Sequence, residues 1–395
     1  MKKKYIIYIL FALVSVSAMA QEFDMEPLIS SKRDTTKVDS LAPKKYPKGF
    51  IGKVIKYFSE SNKEEKGSKF DMRFIGGPSY SQECGVGIGL VGAGQYRIKG
   101  AEDLQPSEMA AYLNVGTKGM VGTGVEGVNF FPGDKHRLKY NVELEYLPSN
   151  YWGMGYDNAI KDENLTKMRY LQFTLNANFM WRILPNTYLG PVADFKYITV
   201  TSMENDSLLL GQPKKLPTFG MGFSLLLDTR DVVTNAYKGV YLELYQLFSP
   251  RFLGNGDYGI STTRVDFRLY HRVWKGAVFA YQVLSEFNFG NPSWATMSRV
   301  GGSRILRGYY YGRYRDKYSA SAQFEIRQKV WKRFGIVAWG GLGTVFHDKE
   351  SFKHILPNYG FGVRWEFKNR MNVRIDWGFG RKGENAIAFN INESF

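Results

Sequence analysis

The sequence has 395 residues, with 53 Lys and Arg against 37 Asp and Glu, 16% aromatic residues, 42 Gly and one Cys. A hydrophobic fraction of 44% excludes a disordered chain. The single Cys84 excludes both a disulfide framework and a cysteine-based zinc site. The length alone fits one large domain or about two to three ordinary ones. High glycine and aromatic contents together favour many strands joined by tight turns.

Residues 1–20 have the pattern of a cleaved secretory signal peptide. Lysines at positions 2–4 precede an apolar run from Tyr5 to Val16, and Ala18-Met19-Ala20 forms a small-residue cleavage site. The apolar run is too short for a transmembrane helix, which needs about 20 residues. A buried N-terminal helix is the alternative. Because no second long apolar run follows, the exported chain is expected to be either soluble outside the cytoplasm or a closed β-barrel.

Residues 21–67 predict a periplasmic linker, since they are polar and carry mixed charges. The stretch from Phe50 to Phe58 has near-helical apolar spacing, so it predicts either a short amphipathic helix or a poorly ordered tail. The excess of positive charge suits anionic lipids or lipopolysaccharide of the outer membrane better than nucleic acid, because the chain is exported.

From residue 69 onward the apolar residues recur with a period of two. In residues 371–380, for example, Met, Val, Ile, Trp and Phe alternate with Asn, Arg, Asp and Gly. A soluble β-sandwich also alternates in this way. Long segments with aromatic residues near their ends favour membrane strands, which have about 9–11 residues. Sixteen segments fit: 69–80, 84–98, 108–118, 120–131, 136–147, 166–183, 187–202, 218–229, 238–248, 259–273, 276–289, 317–330, 334–346, 359–368, 371–380 and 385–395.

We therefore predict an all-β fold, a sixteen-stranded antiparallel transmembrane β-barrel over residues 68–395. The run from Gly87 to Gly92 has dinucleotide-motif spacing but continues as a strand, without the helix that such a site needs. The four histidines have no partners at metal-ligand spacing, and no catalytic motif is present. We expect no enzymatic activity, no cofactor and no metal.

The most informative segment is a basic, aromatic and glycine-rich loop over residues 301–316. Gly301 and Gly302 open it, and the run Leu306-Arg307-Gly308-Tyr309 follows. The next strand carries Glu325 on its inward face, so a loop folded into the barrel would pair Arg307 with Glu325. Gly308 would allow a tight turn, and Tyr309 would pack against the inner wall. An exposed loop that binds anionic sugars is the alternative.

At these residues the sequence resembles the BamA/TamA family of outer-membrane assembly barrels, also called bacterial surface antigens. Residues 306–309 are similar to its Val-Arg-Gly-Phe loop signature, and Asp228-Thr-Arg-Asp231 with Lys238-Gly239 to its mid-barrel signature. Gly77 to Ser81 with Glu83 resemble its first hairpin, residues 151–155 its aromatic-glycine loop, and Phe395 its terminal residue.

The sequence departs from the family pattern at three places. Residues 339–343 lack the aspartate of the family's Phe-x-Asp-x-Gly motif, so Arg307 would rely on Glu325. Glu393 replaces the penultimate hydrophobic residue, and residues 21–67 are too short for a polypeptide-transport-associated domain.

The resemblance implies insertion, assembly or translocation of proteins, or of lipid, at the bacterial outer membrane. A weak lateral seam with Gly76, Gly77 and Pro78 in the first strand and Phe395 in the last would open to template a client strand. Expected partners are outer-membrane lipids, client barrel proteins and other assembly-complex subunits. Two alternatives stay open: an accessory barrel subunit of a larger complex, and a simple anion-preferring pore.

Overall fold

The computed structural model describes residues 70–82, 84–368 and 370–395. The predicted signal peptide at residues 1–20, the predicted linker at residues 21–67 and Glu83 of the first hairpin lie outside the described residues. Within the described residues, none of the helices is long and apolar enough to cross a bilayer.

One antiparallel sheet of sixteen strands dominates the structure, and each strand pairs with its neighbour along the chain, apart from a step from β11 to β14. Its strands are β1 (Phe70–Ser81), β2 (Gly85–Tyr96), β3 (Ser107–Gly116), β4 (Val121–Phe130), β5 (His136–Tyr151), β6 (Thr166–Leu184), β7 (Thr187–Met203), β8 (Lys215–Asp228), β9 (Gly239–Ser249), β10 (Ile260–Arg272), β11 (Ala277–Gly290), β14 (Tyr318–Trp331), β15 (Phe334–Phe346), β16 (Leu356–Lys368), β17 (Met371–Phe379) and β18 (Asn385–Ile391).

The remaining elements are short and lie in the connections. β12 (Ser298–Arg299) and β13 (Arg315–Asp316) form a separate two-stranded ladder between β11 and β14. The single described α-helix, α1 (Tyr156–Ala159), follows β5. Turns of 3₁₀-helix occupy Pro132–Asp134, Asp162–Asn164, Asp206–Leu209, Arg251–Leu253, Ser351–Lys353 and Arg381–Gly383.

Every segment that the period of two predicts overlaps one strand of the sheet, and most ends agree within three residues. β5 runs four residues further than predicted, because the polar residues after Leu147 still pair with β6 although they break the apolar alternation. The last strand ends at Ile391, four residues before the predicted end. Periodicity thus locates the strands, whereas backbone pairing decides where they stop.

The sheet is strongly curved, with a polar concave face and an apolar convex face. Lys139 of β5 reaches Glu243 of β9 across the concave face, with an Nζ–Oε1 distance of 2.7 Å, although three strands lie between them. In β17, Arg374 and Asp376 are each 1% exposed, whereas Ile375 and Trp377 on the other face are 45% and 41% exposed. Polar residues are therefore buried and large apolar residues are exposed, the reverse of a soluble protein.

The two edges of the sheet lie close together. Cα atoms of β1 and β18 come within 8 Å of one another, and the Gln82 side chain donates a hydrogen bond to the carbonyl oxygen of Asn385. Among the described residues no strand ladder joins β1 to β18. We call the rim that holds Asn392–Phe395 the terminal end, and the opposite rim, from which the chain leaves β11, the loop end.

Candidate functional site

The connection from β11 to β14, residues 291–317, folds onto the concave face; we call it the inner loop. The β12–β13 ladder, with Ser298 opposite Asp316, closes its base. At its tip Leu306, Arg307 and Tyr309 are 0%, 2% and 0% exposed. A loop that contains so many polar backbone groups can be buried only if the sheet supplies partners for them.

The tip rests directly on the backbone of β17, and glycine on both sides makes this approach possible. Gly308 has φ +121°, and a Cβ atom there would lie 2.7 Å from the backbone nitrogen of Phe379. A Cβ atom at Gly378 would lie 2.3 Å from the carbonyl oxygen of Arg307. Leu306 also has a positive φ of 49°, so the tip is a tightly bent segment that docking holds in place.

The Arg307 guanidinium bridges two carboxylates from different strands. Its Nη2 lies 2.9 Å from Oε1 of Glu325 on β14, and its Nη1 lies 3.1 Å from Oδ2 of Asp376 on β17. The indole of Trp339 lies beneath it, with 3.7 Å from Cζ to the ring centroid. A planar guanidinium is suited to this position, because it presents donors in two directions and stacks on an aromatic ring.

Around this bridge lies a buried network of four arginines and three carboxylates, which we call the arginine network. Arg364 connects two of the acids, with Nη1 2.6 Å from Asp376 Oδ1 and Nε 2.8 Å from Glu393 Oε2. Glu325 also accepts a hydrogen bond from the Ser394 hydroxyl. Because each buried acid is paired, the network offsets part of its desolvation cost. Its members are Arg307, Arg327, Arg364, Arg374, Glu325, Asp376 and Glu393.

Tyr309 fixes the tip to the loop end. Its hydroxyl donates to the carbonyl oxygen of Pro357 at 2.6 Å and accepts from the backbone nitrogen of Arg381 at 2.9 Å. Burial raises the pKa of Tyr309 to about 12, so the hydroxyl keeps its proton and remains a donor. A neighbouring tyrosine, Tyr314, donates to Glu384 Oε1 at 2.7 Å and ties the inner loop to the β17–β18 connection.

At the terminal end, a second contact joins two turns from distant parts of the sheet. The β8–β9 turn reaches the β16–β17 turn, where Asp231 Oδ2 lies 2.8 Å from Arg370 Nη2. The Arg370 guanidinium also lies over the ring of Tyr237 at 3.5 Å, and Thr234 donates to the Arg370 carbonyl oxygen at 2.9 Å. We call residues 229–238 the strap. Its start is the Asp228–Asp231 signature, in which Arg230 pairs with Asp228 at 2.9 Å.

Solved structures share the fold of this chain at low sequence identity. BamA from Haemophilus ducreyi lacking POTRA domains 1-3 matches with a TM-score of 0.52 at 10% identity, over 82% of this chain and 70% of that chain. CdiB from Acinetobacter baumannii gives 0.54 at 11%, over 82% and 60%, and CdiB from Escherichia coli gives 0.56 at 10%, over 83% and 63%. The chain has the fold of these BamA-type barrels. No protein-family model and no curated protein matches it.

Within the BamA-type fold, the position of the inner loop agrees with the motif at residues 301–309. Gly301 has φ +102°, and a Cβ atom there would lie 2.6 Å from the Tyr310 carbonyl oxygen. Gly302, with φ +85°, continues the turn into the loop. The structure thus places the predicted tip against Glu325 and against a second acid, Asp376.

The second partner, Asp376, corrects the prediction that Arg307 relies on Glu325. The family aspartate is absent from β15, where Trp339 instead stacks on the guanidinium, and Asp376 on β17 supplies the missing carboxylate. The alternation of residues 371–380 already placed this acid on the inward face. The sequence does not indicate that β17 contacts the loop tip.

The structure places the predicted seam residues in different parts of the molecule. Gly76, Gly77 and Pro78 lie within β1, opposite Leu90, Gly89 and Ile88 of β2. The prediction that the last strand extends to Phe395 is wrong, because β18 ends at Ile391.

Asn392, with φ +65°, turns the chain inward after Ile391. Phe395 is then buried against Tyr270, and its carbonyl oxygen accepts from Arg327 Nη2 at 2.9 Å. The ring is removed from solvent, and Glu393, which breaks the family pattern, enters the arginine network.

Proposed function

We propose that the sheet closes into a sixteen-stranded β-barrel that spans the bacterial outer membrane. The inverted polarity of the sheet supports this proposal, because exposed Ile375 and Trp377 need an apolar surrounding while buried Arg374 and Asp376 need a polar interior. Lipid is the solvent that fits the convex face. In this arrangement the inner loop and the strap lie inside the barrel.

The barrel is proposed to take part, without enzymatic chemistry, in inserting, assembling or translocating proteins at that membrane. The observation that carries the proposal is the contrast between a firmly docked inner loop and an edge where β1 and β18 share no ladder. β1 has 12 residues and β18 has 7, so part of the β1 edge has no strand opposite it. An unpaired edge is a template for another strand, which is how a client would be received.

The composition of β1 weakens the same seam. Gly76 and Gly77 contribute no side chain to pack against a neighbouring strand, and Pro78 has no backbone N–H to donate to a ladder. The solved BamA and CdiB structures provide the fold precedent for such a barrel. The partners that follow from the proposal are client barrel proteins, other assembly subunits and outer-membrane lipids.

A disulfide lock across the seam tests lateral opening. Gln82 and Asn385 are in contact, so Gln82→Cys with Asn385→Cys, in a Cys84→Ser background, would join the two edges. The control is Leu90→Cys with Leu113→Cys, which face each other on the paired strands β2 and β3. The readout is heat-modifiable assembly of outer-membrane barrel proteins in cells that depend on the chain.

We expect the seam lock to abolish assembly and a reductant to restore it, whereas the control lock leaves assembly intact. Equal activity of the locked and unlocked chains would contradict lateral opening.

Co-purification in mild detergent distinguishes an accessory role from an independent insertion activity. A stoichiometric partner barrel would support a subunit without insertion activity of its own.

A simple pore is disfavoured by how the interior is filled. The inner loop lies beneath the loop end, while the strap and the buried Phe395 lie at the terminal end. We therefore expect little current in planar bilayers. Large, steady conductance from the unaltered chain would favour the anion-preferring pore instead.

A further inference from the structure

A group of three cations on the concave face lies apart from the arginine network; we call it the cation cluster. Lys196 of β7 and Arg299 of β12 both donate to the carbonyl oxygen of Ala295, at Nζ–O 3.2 Å and Nη2–O 2.9 Å. Arg315 of β13 donates through Nη1 to the adjacent carbonyl oxygen of Trp294 at 3.4 Å. Three positive charges from the wall and from the inner loop thus converge on two consecutive peptide groups.

The two arginines of the cluster lie side by side. A Cβ atom placed on Gly312 would meet Arg315 Nη2 at 2.8 Å and Arg299 Cδ at 3.2 Å, so both side chains pass the same point. Arg315 is 3% exposed, whereas Lys196 and Arg299 are half-buried. Like charges that lie side by side repel one another, and burial strengthens the repulsion.

No acid compensates this charge directly. In the part of the chain that the structure describes, no carboxylate oxygen lies within 4.0 Å of the three cations. Asp194, Glu286 and Glu145 attract the cluster only at longer range. Glu286 accepts a hydrogen bond from the Ser298 hydroxyl at 2.9 Å, and Asp194 accepts one from Asn176 Nδ2 at 2.8 Å. The arginine network, where each of three acids meets at least two arginines, shows how the same protein pairs buried cations elsewhere.

The closest side-chain contacts of the two arginines are with aromatic rings. The Arg315 guanidinium lies 4.6 Å from the ring centroid of Tyr151, and that of Arg299 lies 5.7 Å from the ring centroid of Tyr311. Ring faces and carbonyl dipoles stabilise a cation without neutralising it. Among the described residues the three cations therefore have no carboxylate in ion-pair contact, and Lys196 and Arg299, the two that are not fully buried, are the ones that an anion would reach.

We propose that the cation cluster binds a phosphate group. A phosphate presents several acceptor oxygens around one centre and carries up to about two negative charges, which matches three donors that arrive from two loop strands and the sheet wall. The bound phosphate would join β7 to both strands of the β12–β13 ladder and so hold the base of the inner loop on the wall. Free phosphate and a lipid head group offer the same chemistry. This inference does not depend on the proposed assembly function.

Isothermal titration of the purified full chain in a zwitterionic detergent tests the proposal. Inorganic phosphate and dihexanoyl phosphatidic acid are the two probes, with chloride at equal ionic strength as the background. We expect saturable one-to-one binding of at least one probe. Phosphatidic acid alone would identify a lipid head group, and both probes would identify the phosphate group itself; either result supports the site.

Lys196→Met and Arg299→Met are the informative variants, since each removes one donor from the half-buried side. Each is expected to weaken binding about tenfold or more. Lys214→Met is the matched control, because Lys214 pairs with exposed Asp206 at 2.9 Å on the surface, and it should bind like the unaltered chain. A heat-modifiability gel confirms that each variant is folded. Absence of saturable binding by either probe, or equal binding by folded variants, would overturn the proposal.

Discussion

The carboxylates on the two sides of the sheet lie in different surroundings. On β14 to β17, Glu325 and Asp376 each meet several arginines, and the inner loop docks there. On β4 and β5, Glu126 is exposed while Glu143 and Glu145 are half-buried, and none of the three carries an ion pair within the described residues. Ion pairs hold the tip of the inner loop on β14 and β17, whereas no ion pair of the described residues joins the inner loop to β1–β4. The comparison indicates that rigidity is concentrated around Arg307 and that opening would begin at the other edge.

Glycine has different roles at the loop tip and in β2. Gly308 and Gly378 allow two backbones to meet at the loop tip, so each is required by a close contact. In β2 the glycines at positions 85, 87, 89, 92 and 94 leave Val86, Ile88 and Leu90 as isolated exposed residues on the convex face. A strand with so few side chains packs weakly against its neighbours.

Arg307→Ala should have the largest effect on the docked side. The substitution leaves Glu325 and Asp376 without their shared cation in a buried site, and breaking a buried pair costs about 3–5 kcal/mol. We expect a clearly lower urea midpoint and a lower temperature of heat modification on semi-native gels. Lys167→Ala is the control, because its pair with Glu204 is exposed and contributes about 1 kcal/mol or less. An unchanged midpoint in Arg307→Ala would contradict the docked loop.

Two further variants sharpen that result. If Arg307 depends on both acids, Glu325→Gln and Asp376→Asn should each lower the midpoint, since each leaves part of the guanidinium unpaired. A loss in Glu325→Gln alone would restore the simpler prediction from the sequence.

Gly378→Ala should have an intermediate effect, because its Cβ atom would lie 2.3 Å from the Arg307 carbonyl oxygen and force the tip off β17. We expect a loss of about 1–3 kcal/mol, the usual cost of overpacking, and faster proteolysis of the inner loop. Gly254→Ala is the control, because it introduces backbone strain without a steric clash. Gly254 has φ +87° but no atom within 4 Å of its Cβ position. Equal proteolysis rates in the two variants would contradict close docking.

A pH effect at the loop end should be the smallest. The hydrogen bond that His347 Nδ1 donates to Asp316 Oδ2 at 2.8 Å raises the pKa of His347 above its ordinary value of 6.5. The contribution of the pair is therefore complete below about pH 6.5 and is lost as the pH rises through the raised pKa. Because His347 is 52% exposed, we expect less than about 1 kcal/mol. Imidazole titration by NMR checks the direction, and His347→Gln should remove the pH dependence; a pKa at or below 6.5 would contradict it.

The sequence predicted the strands well because alternation depends only on which face is buried. It also predicted the loop tip and its pairing with Glu325, since both lie in one continuous stretch of chain. Asp376, the contact of the strap with Arg370 and the inward turn of Phe395 were not predicted. Each depends on which distant strands meet across the interior. A period of two specifies the face of a residue, but it does not specify its depth or the partner opposite it.

Hydrogen–deuterium exchange of the full chain in lipid nanodiscs tests the central contrast most directly. We predict slow exchange for the backbone amides of residues 303–309, β14 and β17, and much faster exchange along β1 and β18. Uniformly slow exchange around the whole sheet, or exchange of residues 303–309 at the rate of a free peptide, would contradict the account.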